Sequence, residues 1–173
     1  MSLSPHRPSF QRRLARHLAA GLIVATAAPL ASSAEASVLH AVVNWSVPNT
    51  LDGVYINVQT RELGSSGSLV AGWDINPYSD TSLTWFNATG TGMMRYPGVT
   101  TGSAGNLAGG TVVGATGSFG SGAVTVGSAP GNWVLNSVNI FGFRFVGAGG
   151  GTHYGYGFFQ IGSSISGADR TIT

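Results

Sequence analysis

Two groups of residues in this chain could do chemistry. The first is Asp74, Asn76 and Asp80, three oxygen-bearing side chains close together in sequence. A hard cation such as calcium takes six to eight oxygens, so these three would need backbone carbonyls to complete a shell. The spacing is not that of an EF-hand, because Tyr78 stands where an Asp or Asn is required and no glycine follows it. Asp74 and Asp80 are also the best pair for a glycosidase, which works with two carboxylates across a cleft. Asp and Asn are common in loops for a plainer reason, since their side chains hydrogen-bond their own backbone. The second group is Arg144, His153, Tyr154 and Tyr156, which offers aromatic faces and one fixed cation to a ligand. Nucleophilic catalysis has less support. There is no cysteine, no G-x-S-x-G elbow and no H-E-x-x-H motif, and His40 and His153 lie far apart. The chain reads as a non-enzymatic protein, with a carbohydrate-active hydrolase using Asp74 and Asp80 as the alternative.

The second group needs a hairpin to position it. Residues Asn139 to Phe145 and His153 to Ile161 read as two strands around a six-residue, glycine-rich connection, Gly147 to Thr152. Symmetric pairing about that connection sets Phe145 opposite Tyr154, Phe143 opposite Tyr156 and Phe141 opposite Phe158. Alternate residues share a side, so these six rings would form one aromatic ladder. Arg144 and the glycines would occupy the other face. Such a ladder serves either as core or as a platform for the apolar faces of sugar rings.

The rest of the chain after Ala36 also reads as β-structure. Val54, Ile56 and Val58 alternate with Tyr55, Asn57 and Gln59, the period of a half-buried strand. Val38–Trp45, Leu69–Trp73 and Ser82–Asn87 read as further strands, with Asn76–Asp80 as a loop between the last two. A glycine-rich connection spans Pro97–Gly110, followed by short β runs at Thr111–Val113, Ala123–Val126 and Asn132–Leu135. No window has a 3.6-residue period. Many short strands with turn residues between them predict an antiparallel β-sandwich of jelly-roll type rather than an outer-membrane barrel, which needs regular strands of about ten residues.

Residues 1–36 have the three parts of a secretory signal. Arg7, Arg12, Arg13 and Arg16 precede an apolar run from Leu18 to Leu30, which is too short to anchor in a bilayer. Ala34-Glu35-Ala36 then offers a small-x-small cleavage site. Leu14-Ala15-Arg16 does not continue a twin-arginine pattern, so Sec export from a bacterium is expected. The mature domain is then residues 37–173, without an integral membrane segment. The formal charge of +2 belongs to the signal, because four of the eight arginines lie there. Four arginines and five acids remain, too few cations to neutralise many phosphates, so nucleic acid is not an expected partner. Without cysteine, the exported domain has no disulfides and must rely on its β core.

The hairpin segments FGFRF (Phe141–Phe145) and HYGYGFFQIG (His153–Gly162) resemble the C-terminal hairpin of PEP-CTERM-type, exosortase-associated bacterial exoproteins. DINPY (Asp74–Tyr78) and NLAGGTVVG (Asn106–Gly114) sit where those proteins carry similar segments. The resemblance covers Leu69–Thr173. It implies export and an association with surface components or extracellular polysaccharide. The family's V-P-E-P motif, apolar tail and basic stop do not follow Arg170-Thr171-Ile172-Thr173, and Tyr156 stands where tryptophan is usual. The chain is therefore expected to be a released variant, or to be truncated ahead of its sorting tail.

Overall fold

The computed structural model describes residues 39–96, 103–127, 132–167 and 169–173. The export segment, Val38 and part of the Pro97–Gly110 connection lie outside these. Among the described residues eleven strands form. They are β1 (Trp45–Ser46), β2 (Tyr55–Asn57), β3 (Glu62–Gly64), β4 (Ile75–Tyr78), β5 (Leu83–Asn87), β6 (Gly92–Met94), β7 (Phe119–Gly120), β8 (Gly122–Gly127), β9 (Ser137–Val146), β10 (Thr152–Ile161) and β11 (Arg170–Ile172). They make two antiparallel sheets. Sheet A has the order β1-β11-β10-β9-β6-β7, and sheet B has β3-β2-β4-β5-β8.

The two inner faces meet in one core, as expected for a β-sandwich. Trp85 on β5 is its centre. Its ring lies 4.9 Å from Phe141 and 5.2 Å from Phe159, both on sheet A. Ile56, Ile75 and Leu83 complete the inner face of sheet B, while Met93 and Ile161 are buried on sheet A. Polar groups inside this layer are mostly committed. Asn139, fully buried, accepts from Val134 N at 2.7 Å and donates to Val134 O at 3.0 Å. It thereby fixes the segment that brings Trp133 against Phe159.

Arg170 joins the sheets. Its side chain is 1 % exposed and donates to the carbonyls of Pro48, Ser79 and Ser82 at 2.8, 3.0 and 3.2 Å. Burial lowers its pKa from the ordinary arginine value. One guanidinium on sheet A thus satisfies carbonyls after β1 and in the β4–β5 turn. A buried carbonyl left without a donor is costly.

Several local expectations change. The strand expected over Val38–Trp45 is reduced to β1, because β1 pairs only with β11 at Trp45 and Ser46 and Leu39 and Val42 are exposed. Leu69–Trp73 is not a strand; a single 3-10 turn, Gly67–Leu69, leads into a bend there. Asn76-Pro77-Tyr78, expected in a loop, belongs to β4. Pro77 is tolerated because its nitrogen faces the β2 side, where the paired residues of the ladder are limited to Ile56 and Ile75. Its carbonyl on that side still accepts from Val54 N at 3.2 Å. Thr111–Val113 and Asn132–Leu135 are irregular, whereas Ala123–Val126 lies within β8. No helix among the described residues is long and apolar enough to cross a membrane.

Candidate functional site on the outer face of sheet A

The β9–β10 hairpin sets this site, and its register differs from the symmetric expectation by one residue. Val146 pairs with Thr152, so the connection has five residues rather than six. Gly150 N donates to Gly147 O at 2.8 Å, Gly147 N donates to Gly151 O at 2.8 Å, and Gly150 has φ +80°. A left-handed residue after a turn is how a hairpin takes up an odd loop length, and glycine fills that position without steric cost. From across the sandwich Gln59 secures the tip, donating to Val146 O at 3.2 Å and accepting from Ala148 N at 3.1 Å.

A one-residue shift exchanges the faces of a strand relative to its partner, and the single ladder is corrected accordingly. Phe141 faces Gly157 and Phe143 faces Gly155 across the strands. A Cβ on either glycine would sit 2.6 Å from the Cζ of its phenylalanine, so the rings lie across bare backbone on the inner side. Arg144 faces Tyr154, Gly142 faces Tyr156 and Ile140 faces Phe158 on the outer side. Tyr156 is the most open of these, 62 % exposed, and meets Phe158 edge-on at 6.0 Å. The aromatic residues therefore divide between core and surface instead of choosing one.

The glycine-rich segment after Ala104 packs over this outer face. Leu107 N donates to Ile140 O and Asn106 Oδ1 accepts from Ile140 N, at 2.8 and 2.9 Å. Asn106 and Asn132 exchange hydrogen bonds at 3.1 and 3.3 Å, which ties the segment down. Leu107 and Val113 then cover Gly142, where any Cβ would approach both within about 3 Å. Between this segment and the hairpin remains a cavity of about 310 Å³, lined by Leu107, Ala108, Thr111, Val113, Ile140 and Tyr156. Small-molecule pockets begin at about this size, and an apolar lining with few polar groups is typical of them. The segment from Leu107 to Val113 and the β9–β10 hairpin thus form the same cavity.

Of the hairpin residues singled out by sequence, Arg144, Tyr154 and Tyr156 share this face. His153 does not. It pairs with Phe145 and stacks on that ring at 5.3 Å, on the opposite side of the hairpin. Arg144 lies over Phe119 with its guanidinium carbon 5.4 Å from the ring centre, and Phe119 in turn lies 5.7 Å from Tyr154. Phe158, already expected in the aromatic ladder, shares the face by strand alternation, whereas Phe119 and the Leu107–Val113 segment were not expected there. Only packing between distant segments places those two at the site, and no local pattern announces it.

The structure places Asp74, Asn76 and Asp80 in different surroundings. Asp74 is 3 % exposed and its Oδ2 accepts from Val58 N at 2.9 Å. Burial pushes its carboxyl up from the ordinary aspartate range, opposed by that backbone hydrogen bond. Asn76 is 2 % exposed and donates to Asp52 O at 3.0 Å, while its Oδ1 has no partner among the described residues. Asp80 is exposed past the Ser79 turn. The three serve different local tasks, and no group of three or more His, Cys, Asp or Glu side chains among the described residues could hold a metal ion. Asp74 and Asp80 likewise do not both open onto one cleft.

Sheet B has aromatic residues on its own outer side. Trp73 meets Tyr55 edge-on at 4.9 Å and stacks on Phe86 at 5.8 Å. These rings cover one another, and the adjoining inlet near Asn76 and Tyr78 holds only about 90 Å³. Comparison with family models, curated proteins and solved structures gives no match to this chain.

Proposed function

We propose that the mature chain is an exported, non-enzymatic β-sandwich protein that acts at the bacterial cell surface or in its polysaccharide matrix by contacting glycans through the outer face of sheet A. The observation that carries this reading is Tyr156, open to solvent on the outer face of the hairpin and forming one wall of the 310 Å³ cavity. A tyrosine in this setting offers an apolar ring face with a hydroxyl at its edge, which suits the alternating apolar and polar surfaces of a sugar. Tyr154 and Phe158 extend the surface along the strand. Support for export comes from the signal pattern of residues 1–36, and support for a surface role from the hairpin's resemblance to PEP-CTERM-type exoproteins.

A glycan array, followed by pull-down with bacterial exopolysaccharide, tests the binding claim. Retention of the wild-type protein and its loss in Tyr156→Ala are expected. No retention on either support would remove the claim, and equal retention of the variant would move the site elsewhere. Export is tested separately by the mass of the secreted chain, which is expected to begin at Ser37.

A further inference from the structure

The outer face of sheet A has an uneven charge. The six strands of this sheet contain two charged residues, Arg144 and Arg170, and no acid. Arg170 turns inward and is occupied by three carbonyls. Arg144 turns outward. Its Nε is buried without a hydrogen-bond partner, and among the described residues its guanidinium meets the Phe119 ring and no carboxylate. An aromatic ring orients a guanidinium but does not neutralise it. The positive charge is thus oriented by that ring, partly desolvated at Nε and, among the described residues, without a carboxylate beside it.

Arg144 is also near the expected sugar platform. Tyr156 pairs with Gly142, two residues from Arg144 on β9. Diagonal neighbours in an antiparallel pair are about 7–8 Å apart. A saccharide lying along Tyr156 and Tyr154 would present an exocyclic group to Arg144, which stands directly opposite Tyr154. With Nε buried, the guanidinium has its two terminal nitrogens left to offer, and these match the two oxygens of a carboxylate.

Building on the glycan reading above, we infer that the ligand is an acidic polysaccharide of the uronate class, and that Arg144 selects it by pairing with the carboxylate while Tyr156 holds the ring. The charge is complementary on a face without acids, and the fork geometry distinguishes Arg144 from a mere basic patch.

The test measures affinity for polygalacturonate, dextran sulfate and neutral dextran, using the wild type, Arg144→Gln and Arg144→Lys, with a thermal melt of each variant to confirm folding. A charge-assisted pair is expected to give the wild type roughly a tenfold preference for polygalacturonate over dextran, weakening with salt. Arg144→Gln is expected to abolish that preference, and Arg144→Lys to retain only part of it. A wild type that binds dextran as tightly as polygalacturonate overturns the inference but leaves the glycan reading standing. A preference that survives in Arg144→Gln overturns the role of Arg144. Tighter binding to dextran sulfate than to polygalacturonate overturns the carboxylate assignment. Binding to none of the three overturns both readings. Should Arg144→Gln fail to fold, the wild-type preference, its salt dependence and Arg144→Lys decide the question.

Discussion

The two faces of the β9–β10 hairpin are built from the same kinds of residue and do opposite things. On the inner face, Phe141 and Phe143 lie across the backbone of Gly157 and Gly155 and close the core against Trp85. On the outer face, Tyr154, Tyr156 and Phe158 stand opposite Arg144, Gly142 and Ile140 and remain partly open to solvent. Glycine serves both. Inside, it makes room for a ring; outside, Gly142 makes room for Leu107 and Val113 and so creates the cavity's rim. What separates core from site is the register, and the register depends on one left-handed glycine in the turn.

The comparison breaks most visibly from the inside. Phe141→Ala is expected to cost about 3–5 kcal/mol, because the ring is buried against Trp85 and Phe143 and leaves a cavity behind. Urea unfolding followed by tryptophan fluorescence would measure it. The two outwardly similar arginines extend the contrast. Arg170→Ala leaves the carbonyls of Pro48, Ser79 and Ser82 without their guanidinium donor, that of Ser79 in a buried setting, and is expected to cost about 2–3 kcal/mol, whereas Arg144→Gln should move the same unfolding midpoint little. Gly157→Ala comes next, at about 1–3 kcal/mol, since its Cβ would push into Phe141.

A smaller effect concerns the buried acid of sheet B. The Asp74 carboxyl is raised above its unfolded value, so the folded state binds the extra proton. Its contribution is fully present below the unfolded pKa, near 3.8, and is lost as pH rises through the folded pKa. Stability measured from pH 3.5 upward is expected to fall across that window for the wild type relative to Asp74→Asn.

Some of this was legible in the sequence. The hairpin strands, β5 and β8 show as apolar and β-branched runs of sufficient length, and the absence of a helical period gives the fold class. The register was not legible, because four glycines lie within Gly147–Gly151 and the sequence does not say which takes the left-handed position that Gly150 fills. Arg170 was equally hidden. At the end of the sequence it looks like a surface cation, and only the pairing of β11 with β1 and β10 brings it under Pro48 and Ser79. For the Asp74 group the sequence supplied proximity, but proximity along a strand does not make side chains converge. Asp74 and Asn76 each turned to a nearby backbone group instead.

The division of the hairpin into core and contact surface is tested most directly by NMR of the aromatic ring signals during titration with polygalacturonate. The Tyr156 and Tyr154 resonances are expected to shift with saturating ligand while those of Phe141 and Phe159 stay in place. Unmoved tyrosines in a protein that binds the polysaccharide, or shifts in the buried phenylalanines of the same size, would contradict the account.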